Sequence, residues 1–197
     1  LLMAFDLWMV WLGQLGLALL LAASCVSDWR SRRIPNVLTV AGLFGALAFH
    51  GLAPGGAGLF DPYLPGGLGL KASLLGAGVA LVLLLLPYAR GWIGAGDTKL
   101  MAAVGAFVGL AALPAVLLGV MLSAGVLALV YALLDRELLS AGARIAGWLR
   151  WPLMSPSDAS GNQAEALLAP APRLPMALAI TSGVAGFALA AYFNLLG

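Results

Sequence analysis

Asp97 stands in the stretch Gly94-Ala95-Gly96-Asp97-Thr98-Lys99-Leu100, between two long apolar runs. An acid and a base sit almost side by side there, in a chain of which only 9% is charged. The glycines before Asp97 lack Cβ atoms, so the backbone can bend sharply and another helix can approach closely. An ionisable residue at the edge of a membrane span marks a candidate functional site. A second carboxylate, Asp28, occurs in Asp28-Trp29-Arg30-Ser31-Arg32-Arg33-Ile34-Pro35-Asn36. Two carboxylates that share a proton can activate water and protonate a leaving amide. That chemistry needs no metal, no cofactor and no nucleophilic side chain. Cys25 is the only cysteine and His50 the only histidine. A disulfide framework, a thiolate metal site and a His-based metal site are therefore not expected.

The two acids have to be positioned by apolar elements. The chain has 197 residues, 62% of them hydrophobic, and a mean hydropathy of +1.03. A soluble domain of this size could not hide so much apolar surface. An all-α, polytopic membrane protein is expected, as one membrane-embedded domain over 1–197. Apolar runs predict six spans, at 7–27, 35–51, 71–89, 97–110, 113–134 and 175–196. The fourth is short for a full crossing unless the glycine-rich motif dips into the bilayer. Pro35 suits the first turn of the second span. Residues 52–69, rich in Gly and Pro, read as an extramembrane or re-entrant loop. Residues 135–174 read as a cytoplasmic loop that opens with an amphipathic helix. Its Arg136, Ser140, Arg144 and Arg150 fall on one side and Leu138, Ile145, Trp148 and Leu149 on the other.

Charge sets the orientation. Every Lys and Arg except Lys71 falls in 30–33, 90–99 or 136–173. These stretches follow spans one, three and five and so share a face, which the positive-inside rule makes cytoplasmic. Both termini are then outside. Asp28 ends the first span and Asp97 begins the fourth, so parity brings both to the cytoplasmic face. Structural readings compete with this. Asp97 suits a helix N-cap, and Asp28 suits a charge pair with Arg30, Arg32 or Arg33. Lys99 suits snorkelling to the headgroups, Cys25 a small packing position, and His50 the far interface. The glycines of Gly76-Ala77-Gly78 and Gly119 suit close helix packing.

The two motifs carry a family resemblance. The stretch from Asp28 to Asn36 resembles the Asp-x-Arg-x-x-x-Ile-Pro-Asn signature of type IV prepilin peptidases, and Gly94 to Leu100 resembles their Gly-x-Gly-Asp-x-Lys-Leu signature. Leu174-Pro175-Met176-Ala177-Leu178-Ala179-Ile180 is similar to their Ile-Pro-Tyr-Gly-Pro-Ala-Ile entry to the last span, departing from it at Met176, Ala177 and Leu178. The resemblance implies a membrane aspartic endopeptidase that removes the basic leader of prepilins at the cytoplasmic boundary of the bacterial inner membrane. Asp28 and Asp97 would be the catalytic pair. Gly94, Gly96, Lys99, Arg30, Pro35, Asn36 and Pro175 would bind substrate or support the motifs. Prepilins and membrane lipid are the implied partners, with no nucleic acid and no cofactor. Larger members carry an inserted domain with paired Cys-x-x-Cys zinc ligands and methylate the new N-terminus. This chain lacks those cysteines and looks like the short form found with Flp-type pili. Two other classes compete: an intramembrane protease of the presenilin or signal-peptide-peptidase type, and a cation-binding channel or transporter subunit. The first would need a Tyr-Asp and a Pro-Ala-Leu motif, which are not in the chain. The second would need acids deep within spans.

Overall fold

The computed structural model describes residues 2–61, 63–134 and 176–193, with side chains from Trp8 onward. The described residues form helices and connecting loops: α1 (Leu2–Ser31), α2 (Asn36–Leu52), α3 (Leu70–Ala89), α4 (Ala95–Leu134) and α5 (Met176–Tyr192). Three helical stretches, Trp8–Ser31, Leu70–Ala89 and Ala95–Leu134, are long and apolar enough to cross a membrane, and α2 and α5 are shorter apolar helices. The amphipathic segment expected at 135–174, and Pro175, lie outside the described residues. By packing the chain divides into two compact units, Leu1–Ala124 with Pro175–Gly197, and Gly125–Leu174. The first of these units holds both motifs.

The first half of α4 is the centre of this unit. Leu100 to Gly109 are all buried. Such a segment is apolar all round because it is enclosed all round. Leu17, Leu20 and Leu21 of α1, Ala46 of α2, Ala77 of α3 and Ile180 of α5 belong to the same core. The outer faces are apolar too. Trp8, Trp11 and Leu15 on α1, and Leu74, Leu81 and Val82 on α3, are exposed, as a lipid-facing surface requires.

Glycines set the closest approaches. A Cβ on Gly76 would sit 2.2 Å from the Gly105 carbonyl oxygen, so α3 and α4 cross backbone to backbone. Gly119 and Gly183 bring α4 and α5 together in the same way. Gly78 has nothing within 4 Å and plays no such part.

α4 does not run straight. Gly109 adopts φ 73° and ψ 175°, outside helical space. Continued straight, α4 would carry Gly119 roughly 33 Å from Asp97. Gly119 instead abuts Gly183, which lies only roughly 9 Å along α5 from Ala177. Residues 110–124 of α4 therefore turn back alongside α5. Sequence reading placed this break at 110–113, next to its actual position.

A turn at Gly109 leaves the last carbonyls of the first half without helical partners. Side chains supply them. Ser73 Oγ donates to Ala106 O over 2.8 Å. His50 Nε2 lies 2.8 Å from Phe107 O, and His50 Nδ1 accepts from Leu68 N–H at 3.1 Å. Nδ1 is thus the acceptor, and Nε2 carries the proton that Phe107 O receives. His50 is 2% exposed. It lies near the far end of α2, as expected, but is enclosed by protein: it is a buried bridge between α2, α4 and the 53–69 loop. The loop reaches inward to meet it. Leu59 is buried and its carbonyl accepts from Gln14 Nε2 at 3.0 Å, and a Cβ on Gly109 would collide with the Leu68 side chain.

Candidate active site

Helix rise brings the two motifs to one level. The Phe107 ring packs beside Gly16. Gly16 lies roughly 18 Å along α1 from Asp28, and Phe107 roughly 15 Å along α4 from Asp97. Both acids therefore lie at the same end of the bundle. Both carboxylates are partly buried.

Asp28 occupies the last turn of α1. That helix ends when Arg32 takes a positive φ of 50° and its N–H donates to Asp28 O at 2.8 Å, a left-handed C-terminal cap made without glycine. Two hydroxyls hold the exit. Ser27 Oγ donates to Arg33 O at 2.8 Å, and Ser31 Oγ reaches Ser27 O at 2.8 Å. Arg30 lies exposed in the same turn. Pro35, in extended conformation, is the N-cap of α2 rather than part of its first turn. Its carbonyl accepts from Leu38 N–H at 3.1 Å.

Asp97 is the third residue of α4, not its cap. Its Oδ2 accepts from Gly94 N–H at 3.3 Å, the backward half of a capping box. Gly94 O in turn accepts from Thr98 N–H at 3.1 Å and from Thr98 Oγ1 at 3.0 Å. The glycines serve separate purposes. A Cβ on Gly94 would press on the Asp97 carboxylate at 3.0 Å, and one on Gly96 would press on Ile34 Cβ at 3.1 Å. Gly96 thus lets the second motif lie directly on the first.

A polar link joins the same two motifs. Lys99 Nζ donates to Asn36 Oδ1 over 2.9 Å. The lysine that suited snorkelling is engaged across the site. Asp28 gains a partner from farther away: Ala177 N–H, in the first turn of α5, donates to Asp28 Oδ2 at 3.1 Å. Read from sequence alone, Ala177 has no role beyond shaping the site. The contribution is a backbone amide, and the only signal for it was the weak match around Pro175. Cys25, expected merely to pack, lies 3.2 Å from Thr181 Oγ1.

An all-helical membrane protein whose two carboxylate-bearing motifs come together at one end of a helix bundle is the class that fold and site define. Residues 15–132 match the model of the type IV leader peptidase family, and the chain belongs to that family. The match spans Asp28 and Asp97 and stops short of α5. No curated protein and no solved structure matches the chain.

Proposed function

We propose that this family member is a membrane-embedded aspartic endopeptidase that removes the basic leader of Flp-type prepilins at the cytoplasmic face of the inner membrane. Asp28 and Asp97 are its catalytic pair. What supports this most is the convergence of the two acid-bearing motifs at one end of the bundle, where Gly96 lies against Ile34 and Lys99 reaches Asn36. One carboxylate takes a proton from water as the oxygen attacks the scissile carbonyl. The other protonates the carbonyl oxygen, and a proton then passes to the leaving amine as the C–N bond breaks. The pair holds the shared proton as a unit.

The membrane arrangement in this reading has six spans, with the first and second halves of α4 counted separately. The basic connections favour a cytoplasmic position for Asp28 and Asp97. A cation-channel role would favour acids deep within spans, whereas Asp28 lies in the last turn of α1 and Asp97 in the first turn of α4. Co-expression with a candidate pilin, followed by N-terminal sequencing of the product, tests the reading. Leader removal should depend on this chain; retention of the leader on every candidate pilin tested would refute it.

A further inference from the structure

We propose that the first turn of α5 is a third component of the active site: the Ala177 amide positions the Asp28 carboxylate, and Thr181 holds that turn against α1. This rests on the aspartic reading above and adds to it.

The Ala177–Asp28 bond of 3.1 Å joins residues separated by 149 positions. Amides in the first turn of a helix have no acceptor within the helix, so this N–H can be given to a side chain without weakening α5. Ala177 is 0% exposed, which keeps water from replacing the carboxylate as its acceptor. Asp28 approaches from the last turn of α1. A carboxylate there can rotate about χ1 and χ2, and a fixed amide on another helix narrows that choice.

Thr181 fixes the amide in turn. Its hydroxyl donates to Ala177 O at 2.7 Å, which uses its single proton. The contact of 3.2 Å between Cys25 Sγ and Thr181 Oγ1 is then donated by the thiol. Cys25 lies about one turn before Asp28 on α1, and Thr181 one turn after Ala177 on α5. The helices are thus tied at two successive levels, and the upper tie ends on a catalytic oxygen. Ala177 and Thr181 are positioning residues; neither needs to touch substrate.

The test is steady-state cleavage of a synthetic prepilin-leader peptide by the full chain in lipid nanodiscs. Ala177→Pro removes the amide, and replacement of Ala177 by lactic acid removes it with no added volume. Both should lower kcat about 10- to 100-fold, the scale of a misplaced catalytic group, while KM stays within about twofold. Ala177→Gly keeps the amide and should keep kcat. Met176→Pro places proline at the first helical position, where it is tolerated, and should also keep kcat. A lactic-acid variant with unchanged kcat, or an Ala177→Gly variant as impaired as the proline one, overturns the proposal. Asp28→Asn runs in parallel. If it is inactive while the lactic-acid variant is active, only the positioning role fails; if it cleaves, the aspartic reading fails first.

Discussion

Lys99 Nζ and Asn36 Oδ1 meet at 2.9 Å, although the residues are 63 positions apart. One belongs to the first turns of α4 and the other opens α2, so the bond ties the helix that carries Asp97 to the segment that follows Asp28. Both residues are exposed, and water competes for both groups, so the link adds little to stability. Its value is to geometry. Lys99→Met and Asn36→Ala should each slow leader cleavage about three- to tenfold, and the double variant should be no slower than the worse single. A double-mutant cycle on cleavage rate measures this coupling. Fully additive losses would mean that the two side chains act separately.

Helix packing makes a sharper prediction about stability. Gly76→Ala places a methyl against the Gly105 carbonyl, where backbone must move. Overpacking of this kind costs about 1–3 kcal/mol. Gly78→Ala, two residues away on an open face, should cost nothing and gains helix propensity. Thermal unfolding in detergent should therefore lower the midpoint for the first variant and leave or raise it for the second. Equal midpoints would remove the close α3–α4 crossing from the account.

His50 can be tested in the same assay. His50→Phe keeps ring volume but leaves Phe107 O and Leu68 N–H without their present partners. An unsatisfied buried polar group costs about 1–3 kcal/mol, so a large drop in midpoint is expected. His50→Gln, which offers one acceptor and one donor, should recover part of it. A histidine lying at a hydrated interface would tolerate either change.

These residues also show what a sequence displays and what it hides. Charge is scarce in an apolar chain, so Asp28, Asp97 and their flanking motifs stood out, and parity placed them at one end. Gly96 was legible as a point of close approach because glycine has few other uses there; Ile34 as its neighbour was not. The enclosure of His50 was not legible, because it depends on two distant events, the turn at Gly109 and the return of Leu68 over it. Ala177 acts through an amide that every non-proline residue possesses, so its side chain carried no signal.

The proposed membrane sidedness rests on the basic connections. In a Cys25→Ala background, Ser31→Cys and Ala89→Cys should resist an impermeant maleimide added to intact cells, and Ala57→Cys in the α2–α3 loop should react. All three native residues are exposed in the structure, so access is set by the membrane rather than by packing. Labelling of residue 31 or 89 from outside would reverse the proposed orientation.

The strongest prediction concerns the two acids. From sequence, a helix dipole separates them, because Asp97 sits near an N-terminus and Asp28 near a C-terminus. The structure weakens that distinction, since Asp28 also accepts an amide from the first turn of α5. Each carboxylate therefore faces the N-terminal turn of a helix, and neither is marked by its dipole as the sole base. What remains is a requirement for both. Asp28→Asn and Asp97→Asn should each reduce leader cleavage by about 10²–10⁴-fold, the usual scale of general acid–base catalysis. The double variant should be no worse than either single, because residues acting as a unit are not additive. Asp→Glu at either position should also fail, since a displacement of about 1 Å costs about 10²-fold. Membrane insertion and thermal midpoint should stay near wild type in all of them. N-terminal sequencing of pilin incubated with each purified variant provides the measurement, and efficient leader removal by either Asn variant would exclude the paired-carboxylate mechanism.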